Sequence, residues 1–159
     1  MDIWTTIADE AAAESPLWAA ALLPSAQREL RAVFSPLGEG RYALGLETIY
    51  EGYLLHYGRP RLFAPRDPDT ALLLGDYLYA HGLVCVAEQE DVDAVADLAA
   101  LISLCAQLRA EGRDGDGEAW AATAALLGHG PLRSGRDARE VVDAARVERA
   151  LAAHRSRVD

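Results

Sequence analysis

Arginines and aspartates gather between residues 58 and 70, where a Gly-Arg-Pro-Arg stretch leads to an Asp-Pro-Asp stretch. Arginine side chains can bind a diphosphate, and neighbouring carboxylates can hold a divalent cation. One hypothesis is therefore an enzyme site built from Arg59, Arg61, Arg66, Asp67 and Asp69. An acid followed by proline is also a common helix start, and capping explains these aspartates more simply.

Other residue types that could do chemistry form no recognisable motif. The four histidines, at positions 56, 81, 129 and 154, form no His-Glu-x-x-His motif and no pair at helical spacing. The acids Asp114, Asp116 and Glu118 lack the ligand pattern of a calcium loop, so we expect a solvated linker there. Cys85 and Cys105 lie in apolar stretches and are expected to be reduced core thiols. The sequence thus predicts no catalytic residue and no metal ligand.

The elements that would position these residues are predicted to be helices. Apolar residues recur at helical spacing along residues 46–57, 74–85 and 92–109, and weaker patterns follow at 118–127 and 136–154. The first stripe consists of Leu46, Ile49, Tyr50, Tyr53, Leu54 and Tyr57. Gly75 interrupts the second helix at a cost of about 1 kcal/mol relative to alanine, so a neighbouring helix should approach it closely. No stretch favours a strand, and the fold class is predicted to be all-α.

Size and charge limit the remaining possibilities. The chain has 159 residues, of which 51% are hydrophobic, and these values fit one packed domain. We divide it into an N-terminal helical arm (1–40), a helical core (41–130) and a C-terminal helix (131–159). A formal net charge of −10 makes nucleic acid and anionic membrane surfaces poor partners. The longest apolar run, 71–87, is interrupted by Asp76 and His81 and is expected to fall short of a membrane span. The start has no basic region of the secretory type, and we expect a cytoplasmic protein without stable membrane insertion.

The order of short motifs across residues 46–130 resembles that of trans-isoprenyl diphosphate synthases, a family of all-α enzymes. The similar stretches are Leu-Glu-Thr-Ile at 46–49, Leu-Leu-His at 54–56, Gly-Arg-Pro at 58–60, Ala-Leu-Leu-Leu-Gly-Asp-Tyr-Leu at 71–78, Ala-Gln at 106–107 and Thr-Ala-Ala-Leu at 123–126. The resemblance implies a shortened isoprenoid-synthase fold. It also implies that the matched helices include the contact region of a helical dimer.

The motifs that supply catalysis in that family are missing from this sequence. Tyr57 and Gly58 follow His56 directly, where the family has its first Asp-rich motif and two arginines. Ala122 stands where the family has a lysine, and no second Asp-rich motif follows. Such enzymes need magnesium held by carboxylates and basic groups that bind a diphosphate. The resemblance therefore implies a pseudoenzyme that binds no cofactor itself, with Mg²⁺ expected in a catalytic partner.

The leading hypothesis is a non-catalytic small subunit of a heteromeric prenyl diphosphate synthase, which stabilises the catalytic subunit or influences product chain length. A second hypothesis is a stand-alone helical homo-oligomer that binds an isoprenoid or another apolar ligand. Candidate binding or interface residues are Tyr50, Tyr53, Tyr57, Arg59, Arg61, Asp76, Tyr77 and Leu78. Each of these side chains is equally compatible with packing in the core.

Overall fold

The computed structural model describes residues 2–130, 132 and 136–158. Within these residues lie α1 (Ile3–Glu14), α2 (Pro16–Ala21), α3 (Ala43–Tyr57), α4 (Pro68–Ala87), α5 (Val92–Ala110), α6 (Asp116–Leu126) and α7 (Ala144–Val158). Short 3₁₀ turns occupy Ser25–Gln27, Ser35–Leu37, Gly40–Tyr42 and Ala138–Glu140. The described residues contain no strand, only one isolated bridge between Leu22 and Phe63. The prediction of an all-α fold is confirmed.

Helices α4 and α5 begin directly after the capping residues that the sequence offers. The side chains of Asp67 and Asp91 accept hydrogen bonds from the backbone N–H groups of Thr70 and Ala94, as the sequence predicts. The C-terminal segment differs from the prediction, because Asp137 and Glu140 form a capping box around a short 3₁₀ turn. The final helix therefore begins at residue 144 and not at 136. Residues 131 and 133–135, at the start of the predicted C-terminal segment, lie outside the described residues.

Helices α3 and α4 form a close-packed antiparallel hairpin, in which two glycines of one helix face two of the other. A Cβ atom added to Gly52 would lie 2.8 Å from the carbonyl oxygen of Gly75. One added to Gly82 would lie 3.0 Å from the carbonyl oxygen of Gly45. The first distance is shorter than real Cβ contacts and the second is tighter than most of them, so the two backbones touch at these positions. The close approach predicted at Gly75 is confirmed.

Two apolar clusters lie on either side of this hairpin. The larger one joins α3 to α5, α6 and α7 around Tyr50, Leu98 and Trp120, which are all buried. The smaller one joins α1 and α2 to α4 and to the 58–67 loop. That loop is fixed to the N-terminal arm by backbone hydrogen bonds from Leu23 to Leu62 and from Ala64 to Ala21, each 2.8 Å long. The hairpin is thus the central layer of the described fold.

Helix α4 runs from Pro68 to Ala87, as the Asp-Pro start at residues 67 and 68 predicts. It has 20 residues, and by length and composition it could cross a membrane, although 33% of its most apolar stretch is buried in the protein. By length and composition alone, the expectation that the apolar run 71–87 falls short of a membrane span is therefore wrong. The close packing on α3 nevertheless gives α4 a protein neighbour, as expected for a core helix. The absence of stable membrane insertion stays a prediction.

Candidate functional site

The tyrosine stripe of α3 is packed into the interior of the protein. Tyr50 and Tyr53 are each about 1% exposed, and their rings stack with centroids 5.8 Å apart. Both rings also meet Trp120 edge-on, at 5.1 and 5.8 Å. Tyr57 is half-buried and packs on Tyr53 at 5.1 Å. The stripe therefore fills the core, and it does not form the wall of a cavity for an apolar ligand.

The hydroxyl ends of these tyrosines enter a polar cluster shared by four helices. Tyr53 donates a hydrogen bond to the Asp116 carboxylate at the start of α6. Arg109 of α5 donates to the Tyr53 hydroxyl at 2.8 Å and to Asp116 at 2.7 Å. His154 of α7 lies beside them, with Nδ1 2.8 Å from the Tyr50 hydroxyl and Nε2 3.4 Å from Asp116. We call these five residues the Asp116 cluster.

Asp116 was assigned to a solvated linker by the sequence analysis, and this prediction was wrong. Burial by itself would raise the pKa of the Asp116 carboxyl, but contacts with His154, Tyr53 and Arg109 outweigh burial and hold the pKa well below its usual range. Burial, and then the bond to Asp116, raises the pKa of Tyr53 far above its usual value. Neither group therefore exchanges protons near neutral pH. Asp116 and Tyr53 join helices, and neither side chain fits a general acid or base.

A surface cleft of about 570 Å³ opens over the Asp116 cluster, between the α5–α6 loop and α7. The charged side chains along it are Arg109, Arg113, Asp114, Asp116, Glu118 and Arg155. Three arginines thus face three carboxylates, and two of the arginines form salt bridges with nearby acids, Arg109 with Asp116 and Arg113 with Glu111. A diphosphate requires an excess of positive charge, which this cleft does not present.

Arg61 is buried in an ionic network that the sequence analysis did not anticipate. Its side chain is 0% exposed, with Nη1 2.5 Å from Glu47 and Nε 2.9 Å from Glu51. The two carboxylates also accept hydrogen bonds from the backbone N–H groups of Ser35, Arg61 and Leu62. The guanidinium lies over the rings of Trp4 and Tyr50 at 4.8 and 5.0 Å. In the sequence, the signal for such a cation was the pair Glu47 and Glu51, which are four residues apart and therefore share one face of an otherwise apolar helix.

The residues proposed for a rebuilt enzyme site do not converge. Arg61 faces inward, whereas the side chain of Arg59 is 60% exposed beside Glu29. Asp67 is bonded to the backbone and hydroxyl of Thr70, as capping predicts. The other candidates lie along α4: Leu78 is 1% exposed, Tyr77 is half-buried and the side chain of Asp76 is 65% exposed. Direct contact of Tyr50, Arg61 or Leu78 with a partner would require this core to rearrange.

The outward side of α4 carries large apolar side chains. Leu72, Leu73 and Val84 are 53%, 57% and 54% exposed. Ala80 and Val84 follow Leu73 by two and three helical turns, so the three residues share a face of the helix. We call Leu72, Leu73, Ala80 and Val84 the outer face of α4. Among the predicted interface residues, Asp76 lies on this side of the helix, one turn from Leu72.

The two cysteines are free thiols, as predicted. Burial raises the pKa of Cys85 to about 11 and that of Cys105 to about 12, so neither is a nucleophile near neutral pH.

Comparisons of this chain with protein-family models, with curated proteins and with solved structures give no match. The resemblance to prenyl diphosphate synthases therefore depends on the motifs alone.

Proposed function

We propose that this protein is a non-catalytic subunit of a heteromeric prenyl diphosphate synthase and that it binds the catalytic subunit through the outer face of α4. The observation that carries the proposal is the exposure of Leu72, Leu73 and Val84 on the helix that bears the Gly-Asp-Tyr-Leu motif. Single exposed apolar residues are common on protein surfaces. Several on one face of one helix favour an interface with another protein.

The position of the carboxylates on α3 also supports a non-catalytic role. This helix carries the Leu-Glu-Thr-Ile and Leu-Leu-His stretches that resemble the helix leading to the first Asp-rich motif in the synthase family. Its acids, Glu47 and Glu51, are buried and bonded to Arg61 and to backbone N–H groups. Oxygens engaged in this way are not free to coordinate magnesium beside a substrate. In this protein the acids of α3 stabilise the 58–67 loop instead.

Co-purification with a catalytic prenyl diphosphate synthase of the same organism tests the proposal. We expect a stable complex, and we expect the subunit to change the rate or the product chain length. The variant Leu73→Glu/Val84→Glu should abolish the complex, because it places charges on the outer face of α4. Val141→Glu is the matched control: Val141 is 45% exposed, and it adjoins the turn at Ala138–Glu140, which contacts α6 and α7.

Three results would contradict the proposal. The first is a catalytic subunit that neither binds the chain nor changes its rate or products. The second is condensation of isopentenyl diphosphate with an allylic primer by the isolated chain and Mg²⁺, which would make the chain an enzyme. The third is self-association through the outer face of α4 without binding to any synthase, which would favour a homo-oligomer.

A further inference from the structure

Three side chains that can act as metal ligands meet between α1 and α4. They lie on the side of the α3–α4 hairpin that faces away from α5, α6 and α7. They are Glu10 of α1 and His81 and Cys85 of α4, and their ligand atoms all lie within 4.8 Å of one another. His81 Nε2 is 2.6 Å from a Glu10 carboxylate oxygen. No other such group is found among the residues that the structure describes. The sequence predicts no metal ligand there, because His81 and Cys85 form a His-x-x-x-Cys pair and Glu10 lies 71 positions away.

The geometry of α4 presents two of these ligands together. His81 and Cys85 are four residues apart and therefore lie one above the other on the same face of the helix. The His81 ring stacks on Tyr77 with a centroid distance of 5.4 Å, and Tyr77 stacks on Trp18 at 5.9 Å. This stack fixes the plane of the imidazole and directs Nε2 toward α1. The His81 side chain is 27% exposed, so the site is open to solvent.

The surroundings of the three ligands favour a cation. Besides Glu10, the carboxylates of Glu14 and Glu88 are close enough to act electrostatically on Tyr77 and Cys85, respectively. The chain as a whole carries a net charge of −10. Such a concentration of negative charge attracts cations and repels phosphates and other anions.

We propose that Glu10, His81 and Cys85 bind a divalent cation of the zinc class and leave its fourth coordination position to water or another ligand. One oxygen, one nitrogen and one sulfur donor suit Zn²⁺, whereas Mg²⁺ and Ca²⁺ prefer oxygen donors only. With zinc–ligand bonds of about 2.0–2.3 Å in a tetrahedron, ligand atoms lie roughly 3.5 Å apart. The ligand atoms lie within 4.8 Å of one another, so no pair must approach by more than about 1.3 Å, whereas His81 Nε2 and the Glu10 oxygen, now 2.6 Å apart, must separate by about 1 Å. The Glu10 side chain, which is 42% exposed, is free to make this adjustment.

Binding at this site would connect the N-terminal arm to the hairpin. Ile7 and Ala11 already bury the inner side of α1 in the smaller apolar cluster. A metal bound by Glu10 and by two residues of α4 adds a link between the two helices. This function is independent of the partner proposed above, since it does not involve the outer face of α4.

Titration of the metal-free, reduced protein with Co²⁺ and Zn²⁺ tests the inference. We expect one Co²⁺ per chain, with a thiolate-to-cobalt charge-transfer absorption band, and displacement of Co²⁺ by Zn²⁺. Saturating Zn²⁺ should raise the melting temperature. His81→Ala and Glu10→Gln should each weaken binding at least tenfold, and Cys85→Ala should abolish the charge-transfer band.

Matched variants serve as controls. Asp9→Asn changes an exposed acid of the same helix, His129→Ala removes a half-exposed histidine, and Cys105→Ala removes the other thiol; none should change Co²⁺ affinity by more than twofold. The inference is overturned if the wild-type protein shows no thiolate band at millimolar Co²⁺. It is also overturned if Glu10→Gln and His81→Ala, checked for native circular dichroism, bind as tightly as wild type. Because the wild-type spectrum is itself decisive, the test does not depend on any variant folding.

Discussion

Buried charge is concentrated at single residues in this protein, and Arg61 is the clearest case. Its guanidinium, which is 0% exposed, neutralises one of two buried carboxylates and is bonded to both. Removal of one member of a buried ionic network leaves the remaining charges without a partner in a medium of low dielectric. Arg61 therefore stabilises the fold mainly by preventing the free-energy penalty of burying Glu47 and Glu51 without a cation.

Arg61→Met should lower the free energy of unfolding by about 3–5 kcal/mol, because Glu47 and Glu51 remain buried without their cation. Arg59→Met is the matched control: its side chain is 60% exposed, and a surface change of this kind should stay within about 0.5 kcal/mol. Urea unfolding followed by circular dichroism measures both. Equal effects of the two substitutions would show that Arg61 is not buried in solution.

Asp116 makes a contribution that depends on pH. The pKa of its carboxyl in the folded state is well below the unfolded value of 3.8. A depressed carboxyl pKa stabilises the fold fully above the unfolded pKa, and the stabilisation is lost as pH falls through the folded pKa. The stabilisation by Asp116 is therefore complete at pH 5 and above and decreases below about pH 4.

Asp116→Asn should reduce the free energy of unfolding by about 2 kcal/mol at pH 7, as expected for loss of charged hydrogen bonds. The difference between variant and wild type should shrink at pH 3. Asp114→Asn, at an exposed position of the same loop, should have almost no effect at either pH. A difference for Asp116→Asn that is the same at pH 7 and pH 3 would contradict this account.

Among the elements of the fold, the α3–α4 hairpin is stabilised by close contact between the two backbones as well as by burial of apolar side chains. Glycine in a helix is less favourable than alanine by about 1 kcal/mol, and this chain places four of them where the two helices touch. Close backbone contact permits tight packing between the helices. These contacts compensate for the low helix propensity of the four glycines.

Gly52→Ala should therefore destabilise the protein by roughly 1–3 kcal/mol, although alanine is the better helix former. The new Cβ would lie 2.8 Å from the carbonyl oxygen of Gly75 and 3.2 Å from Leu78, so the helices must separate. Gly40→Ala is the control, since nothing lies within 4 Å of a Cβ there. Thermal unfolding measures both, and a stabilised Gly52→Ala variant would show that the hairpin tolerates separation.

At the scale of the whole molecule, an exposed apolar helix face and a large net charge oppose each other. The outer face of α4 favours association, whereas a charge of −10 on each chain resists contact between copies. Salt screens the repulsion, because the Debye length falls from about 10 Å at 0.1 M to about 3 Å at 1 M.

In the absence of a partner, the isolated chain should self-associate weakly, and the association should strengthen between 0.05 and 0.5 M NaCl. Leu72→Lys/Leu73→Lys should remove this behaviour without changing the free energy of unfolding by more than about 0.5 kcal/mol, because both positions are exposed. Sedimentation velocity at several concentrations measures the effect. A chain that is monomeric at every salt concentration would argue against the outer face of α4 as an interaction surface.

Most helices of this protein can be predicted from local sequence. The stripe along α3, the Asp67-Pro68 start of α4 and the close approach at Gly75 all follow from spacing and from the geometry of single residues. These features depend on neighbours within a few positions, which a sequence displays directly. The end of the chain was less predictable, because the capping box at Asp137 and Glu140 competes with a longer helix.

Which polar groups meet depends on how the helices pack against one another. Tyr50 and His154 are 104 positions apart, Tyr53 and Asp116 are 63 apart, and Glu10 and His81 are 71 apart. Periodicity assigns each of these residues to a helix face, but it does not specify which faces touch. The packing of α3 against α5, α6 and α7 converts a tyrosine stripe and a polar loop into the Asp116 cluster. The packing of α1 on α4 does the same for the proposed metal site.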